Sequence, residues 1–250
     1  MAEENKENVT VENVTENVTE NNNEETNKKI EKRANRVEIL VAIFLGITAL
    51  LTAWASWISS LHGGNQATNY TKSNNLASEG NSEYNAGMQL YLSDLMAWNT
   101  MMEYMFDETI AEVNGNQAEA DLIAEKLETF ADQNCSSILN EALNNMTSDM
   151  QSPFEVEGVL EQYFASANEL LSESQALLEE GQKDNSNGDA YNLVSVIYSL
   201  VLFMLGIVGI FKGIPNRAIV LIIAVVILVL ASVYMFTIPM PTDFSLGNYF

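Results

Sequence analysis

One cysteine and one histidine are all the chain has of the side chains that most often hold metals or act as nucleophiles. A lone Cys135 cannot close an intrachain disulfide, so whatever folds must hold by packing alone, and the redox compartment stays unspecified. His62 and Cys135 are too few for a structural zinc site, and a thiol-protease pair would need those two residues to meet. Basic residues are scarce too: 11 Lys and Arg stand against 34 Asp and Glu, a net charge of −23. A phosphate backbone selects for the opposite balance, which excludes nucleic acid as a partner. Ionisable side chains are also missing from the three long apolar runs, apart from Glu38 at one edge. Proton relays and coupled transporters place such groups deep in the bundle, so their absence argues against both.

The chain is uneven along its length. Residues 1–36 carry almost no large apolar side chain and repeat Glu-Asn-Val-Thr from Glu7, Glu12 and Glu16. Such a segment buries too little to offset the entropy of ordering, and the composition predicts a disordered acidic tail. Its Asn-Val-Thr triplets at Asn8, Asn13 and Asn17 match the glycosylation sequon, but duplication of a polar tract explains them as well. The tail closes on a basic cluster, Lys28, Lys29, Lys32, Arg33 and Arg36.

The first apolar run, Ile39 to Leu61 within 37–61, is long enough for a ~30 Å hydrocarbon core at ~1.5 Å per residue. Trp54 and Trp57 fall near its far end, where indole rings favour the headgroup boundary. The acidic leader and the apolar length favour an uncleaved anchor over a signal peptide, despite the small-x-small step Ala53-Trp54-Ala55. A second span is expected over 191–211 and a third over 218–238, joined by the basic turn 212–217. Two crossings separate the two basic segments, so both lie on one side, and the positive-inside rule makes that side the cytoplasm. Residues 62–190 and the tail 239–250 are then extracytoplasmic. The middle segment holds Lys72, Lys126 and Lys183 against 23 acidic residues, a well-solvated surface.

That middle segment reads as helices. Tyr84, Met88, Tyr91, Leu95, Trp98, Met102 and Met105 alternate at spacings of four and three, a heptad seam. Carried backward, the same register enters the membrane through Ser60, Ser56, Ala53, Ala49, Gly46 and Ala42, small residues of the kind close packing in lipid requires. One helix from about Arg36 to Ile110 would link the two stripes; two helices broken at His62-Gly63-Gly64 would share the register by coincidence. Asn114-Gly115-Asn116 signals a turn, and a second outer helix is expected over 117–146, with Cys135 on its apolar side. A third starts at Ser152-Pro153 with Glu155 completing a capping box, and either Gly181 terminates it or the helix runs on toward the second span. Antiparallel packing of these helices returns the chain to the membrane.

Residues 184–189 do not fit a calcium loop, because Gly188 stands fifth and the twelfth position is Ser195. They read as a polar connector, with Asp189 capping the second span. The carboxylates of 103–132 read as a solvated helix surface, since nothing fixes two of them as an acid/base pair. Gly206, Gly209 and Gly213 are candidates for close helix packing in the second span, the last two as a GxxxG pair.

Ser60-Leu61-His62-Gly63-Gly64-Asn65-Gln66-Ala67, the step Tyr84-Asn85-Ala86, and Gly188-Asp189-Ala190-Tyr191 carry a resemblance. In outline most of the chain resembles a family of small prokaryotic membrane proteins of unknown function, with one amino-terminal span, a helical middle and a carboxy-terminal two-span hairpin. The resemblance implies architecture and no activity. The sequence therefore predicts an all-α integral membrane protein with three transmembrane helices and an extracytoplasmic antiparallel helical, coiled-coil-like domain. It is expected to be non-enzymatic, to need no cofactor, and to act through a homo-oligomer or a protein partner in the lipid bilayer. An oligomeric channel lined by the small residues of the first span is the alternative.

Overall fold

The computed structural model describes the backbone of residues 4–211, 217–242 and 244, and side chains from residue 35 onward within those ranges. All regular structure among them is helical: α1 Glu4–Val113, α2 Gln117–Asn134, α3 Ser137–Asn145, a 3-10 turn Pro153–Glu155, α4 Val159–Ile210 and α5 Arg217–Met235. Helical backbone reaches back to Glu4, over a segment whose composition predicts disorder. The side chains of that segment, and with them any packing that would support such a helix, lie outside the described residues. The turn at 212–216 lies outside them as well.

Among the described residues, three helices are long and apolar enough to cross a membrane: α1, α4 and α5. Many of their apolar side chains face outward, with Leu50 at 74%, Phe203 at 65% and Leu230 at 64% exposure. Water would penalise such a surface and hydrocarbon would not, so the chain is compatible with a multi-pass membrane protein.

The described fold forms two compact units, residues 1–65 with 183–250, and residues 66–182. In the first, Val41, Ala55 and Ile58 of α1 meet a long buried stripe of α4 (Tyr191, Val194, Tyr198, Val201, Leu205, Val208) and one of α5 (Leu221, Ala224, Leu228, Ala231, Met235). Polar side chains cross-link these helices, one pair at the exposed edge and one partly buried. Ser56 and Ser195 hydroxyls lie 2.8 Å apart, and the Tyr198 hydroxyl lies 3.0 Å from that of Ser232. Each such bond inside a membrane bundle is worth about 0.6 kcal/mol.

In the second unit α1 and α4 run antiparallel. Ser73 donates to the Ser174 carbonyl (2.8 Å), and Ser174 donates back to the Ser73 carbonyl (2.8 Å). Glycine brings the backbones together: a Cβ on Gly87 would stand 2.1 Å from the Tyr163 carbonyl oxygen, and one on Gly80 2.9 Å from Leu171 Cγ. A smaller core, Ala142, Val159 and Tyr163 with Tyr91, Phe154 and Phe164 against it, closes the unit.

The local expectations fare differently. No break occurs at His62-Gly63-Gly64; α1 is continuous there. The turn at 114–116 is present, with Gly115 at φ +75. The helix expected over 117–146 is two helices, interrupted at Cys135 and Ser136. Ser152 caps a 3-10 turn by accepting from Phe154 N–H, while Glu155 accepts from Gln151 N–H instead of closing a capping box, and α4 begins later, at Val159. Gly181 terminates nothing, and residues 184–189 are no connector: α4 runs through both. Gly181 is buried, where its missing side chain accommodates Tyr70, whose ring would stand 2.5 Å from a Cβ.

Candidate functional site

The most structured polar site of the first unit is built where α1 leaves its apolar run. His62, 1% exposed, points its Nδ1 at Asp184 Oδ1 of α4, 2.7 Å away, and its Nε2 at the Pro239 carbonyl oxygen, 3.1 Å away. Gly188 leaves space for this approach, since a Cβ there would lie 3.3 Å from His62 Cβ, and the Ser59 hydroxyl donates to the Gly188 carbonyl (2.9 Å). The Tyr191 ring stacks on the imidazole at 5.8 Å between centroids and 28°. Beyond α5 the chain folds back over this site. Tyr191 Oη donates to the Ile238 carbonyl (3.3 Å), and Asn65 Nδ2 donates to the Thr242 carbonyl (3.4 Å). Phe244 meets Trp54 and Trp57 edge-on, at 6.1 and 5.8 Å.

The second unit has its own buried carboxylate. Asp94, 1% exposed, accepts from Tyr163 Oη (2.7 Å), from Ser136 N–H (2.9 Å) and, at short range, from the Ser136 hydroxyl. Ser136 in turn caps α3 by accepting from Leu139 N–H (3.2 Å). This explains the break at 135–136: a carboxylate on α1 draws a backbone N–H and a cap side chain toward itself. Burial and then the Asp94 hydrogen bond hold the Tyr163 phenol well above its ordinary range. Cys135 beside it is half-buried with Sγ 3.5 Å from Met101 Sδ, and burial, then the Asp94 charge, push its thiol up. The Asp94 carboxylate thus ties α1 to the junction of α2 and α3 and to α4.

The residues singled out from sequence are distributed unevenly. Ala42, Gly46, Ala49 and Ala53 are exposed, and a Cβ on Gly46 would meet nothing within 4 Å. Gly209 faces Val41, 3.4 Å from a built Cβ, Gly206 has nothing within 4 Å, and Gly213 lies outside the described residues. Tyr91 packs on Phe154 and Tyr163, Tyr84 stacks on Phe164 while staying exposed, and Met88, Leu95 and Trp98 are half-buried. Met102 is exposed. The face α1 uses within the chain runs one residue earlier: Val41, Thr48 and Ala55 in the first unit, and Ser73, Gly80, Gly87, Asp94 and Met101 in the second. Sequence reasoning missed His62, Asp184, Asp94 and Tyr163 as partners. The only available signal was the rarity of His and the position of Asp94 on a helix otherwise read by its apolar side.

At the tip of the second unit, Tyr104, Leu122, Lys126 and Phe130 line an open groove of about 410 Å³, with Lys126 Nζ 4.2 Å above the Tyr104 ring. Among the described residues no group of three His, Cys, Asp or Glu side chains is placed to hold a metal. Comparison with family models, with curated proteins and with solved structures gives no match.

Proposed function

We propose that this is a non-enzymatic membrane protein whose acidic helical domain works by association, either with further copies of itself or with a protein partner. The observation that carries the reading is apolar surface left uncovered on α1 in the second unit. Leu92, Met96, Phe106, Ile110 and Val113 are all exposed, the last three spaced by four and three on one face. In a segment with so large an acidic excess, apolar residues arranged along a helix face are the feature a partner helix would cover. The two basic clusters, one before the first span and one between the second and third, support an extracytoplasmic placement of this domain, and the three-span resemblance supports the same layout. Chemical cross-linking and native mass measurement of the purified full chain test it. The expected result is an oligomer, or a co-purified partner, lost on the double substitution Phe106→Asp, Ile110→Asp. A monomer indifferent to that change would refute it.

A second reading is favoured by the outward face of the first span. Among the described residues, Ala42, Gly46, Ala49 and Ala53 are exposed, which leaves them to line or close a pore between copies. Ion flux in reconstituted vesicles, altered by Gly46→Leu or Ala49→Leu, is the outcome that would support it; silence in both removes it.

A further inference from the structure

We propose that His62 and Asp184 form a proton-operated clasp that fastens the chain after α5, residues 238–242, onto α1 and α4. The argument begins with the hydrogen-bond inventory of the returning segment. Pro239 and Pro241 have no N–H, so the segment docks through carbonyl oxygens. Three carbonyls are held by three side-chain donors: Ile238 by Tyr191 Oη, Pro239 by His62 Nε2 and Thr242 by Asn65 Nδ2. An amide does not titrate, and a phenol does so only in strong alkali. Of the three donors, only the imidazole can lose its proton near neutral pH.

The geometry at His62 fixes how many protons the closed state holds. A carbonyl oxygen only accepts, so the contact at Pro239 commits Nε2 to carrying a hydrogen. Nδ1 then faces Asp184 Oδ1 at 2.7 Å, and two lone pairs cannot share that distance in a buried site. Either Nδ1 or the carboxyl must therefore carry a second proton. Closed, the pair holds one proton more than a neutral imidazole beside a carboxylate. When that proton leaves, the ring keeps a single N–H for two acceptors. The carboxylate is the stronger acceptor, so the Pro239 carbonyl is the one released.

Among the described residues, His62 itself contacts no charged group besides Asp184. From α4 the groups facing His62 are the Asp184 carboxylate and the Tyr191 ring, and from the returning segment the Pro239 carbonyl. Lys183 and Asp189 are exposed, off the buried stripe of α4, and the turn of α1 on either side of His62 has no ionisable side chain. The sign follows: the proton belongs to the closed form, so the clasp is shut at low pH and opens as pH rises through the midpoint of the pair.

The single histidine makes the test direct. The full chain, labelled with ¹⁵N-histidine and held in lipid nanodiscs, gives one imidazole whose two ring nitrogens are followed between pH 5 and 9. Hydrogen exchange of the carboxy-terminal peptide, corrected for the intrinsic pH dependence of exchange, is measured on the same samples. The expected result is loss of a ring proton and about a tenfold to hundredfold loss of peptide protection with one shared midpoint, the size set by one hydrogen bond to a charged donor. His62→Gln, which keeps a donor but cannot titrate, should flatten the protection profile, as should Asp184→Asn. If Asp184→Asn loses helical signal, His62→Gln and the wild-type comparison decide. A ring whose protonation does not change over that range, peptide protection indifferent to the ring's transition, or an unchanged pH profile in His62→Gln would each overturn the proposal.

Discussion

Replacing Gly87 by alanine should destabilise the second unit, while the same replacement at Gly63 in the same helix should stabilise the protein. Alanine improves on glycine in a helix interior by up to about 1 kcal/mol, and this gain applies to both positions. They differ in what a methyl group meets. At Gly63 there is nothing within 4 Å. At Gly87 the new carbon would stand 2.1 Å from the Tyr163 carbonyl oxygen and 3.3 Å from a Phe164 ring carbon. The carbonyl belongs to the backbone of α4, so no side-chain rotation relieves the overlap, and the two helices must separate by about 1 Å to restore contact distance. Overpacking of this kind costs about 1–3 kcal/mol. Because the propensity gain is common, the difference between the two variants isolates that strain and should itself be about 1–3 kcal/mol. Gly80→Ala should fall between them, since its contact, Leu171 Cγ at 2.9 Å, belongs to a side chain that can move. Urea unfolding of the full chain in detergent, read by hydrogen exchange in peptides from both units so that each substitution is followed in its own unit, measures all three. Equal stabilities for Gly87→Ala and Gly63→Ala would refute the close approach of α1 and α4 at this point.

The Cys135 thiol, raised by burial and by Asp94, should react with a maleimide more slowly than a free cysteine at pH 7.5, and Asp94→Asn should narrow the gap. In intact cells an impermeant maleimide should reach Cys135 when exposure is long enough for a thiol raised in this way; protection until lysis would reverse the proposed orientation. Tyr163→Phe removes a hydrogen bond to a buried carboxylate and should cost about 1.5–3 kcal/mol by the same urea measurement. Tyr163 also governs the alkaline limb. Its native phenol is raised above the unfolded value, so the native state keeps a proton that the unfolded state loses. That contribution is fully present below about pH 10 and falls as pH rises beyond it, and the slope attributable to it should vanish in Tyr163→Phe.

Apolar periodicity made part of this fold legible. The three apolar runs, the turn at Asn114-Gly115-Asn116 and the antiparallel return were readable because each follows from composition or from residues close in sequence. The continuity of α1 was readable only as a shared register. The packing face was displaced by one residue, about 100° on a helix, because aromatic and Met side chains mark the flanks of the seam whereas Ser73, Gly80, Gly87 and Asp94 occupy it. Gly181 and the polar run 184–189, which includes Gly188, read as breakers for the same reason. A glycine in a helix is costly unless a partner needs the space, and the partners, Tyr70 and His62, lie more than a hundred residues earlier. The interruption at 135–136 was likewise invisible, since the carboxylate that causes it stands on another helix.

The two buried carboxylates share a logic that bears on why this register is unique. Asp94 and Asp184 are the only described acidic side chains fully buried, and each sits where a glycine of one helix lets the other approach: Gly87 near Tyr163, Gly188 near His62. Burying a carboxylate costs several kcal/mol before its partners offset the loss, so neither site is an economical source of stability. An all-apolar seam of the same length would tolerate sliding by a heptad, because one Leu or Val layer resembles the next. Sliding this seam would leave Asp94 without Tyr163 and Ser136, or His62 without Asp184, and a buried charge stripped of its partner costs about 3–5 kcal/mol. The polar pairs thus act against the wrong alignments more than they favour the right one. Long helices with few apolar seam residues need such a device most, and the same feature hides their register from a reading based on hydrophobic spacing.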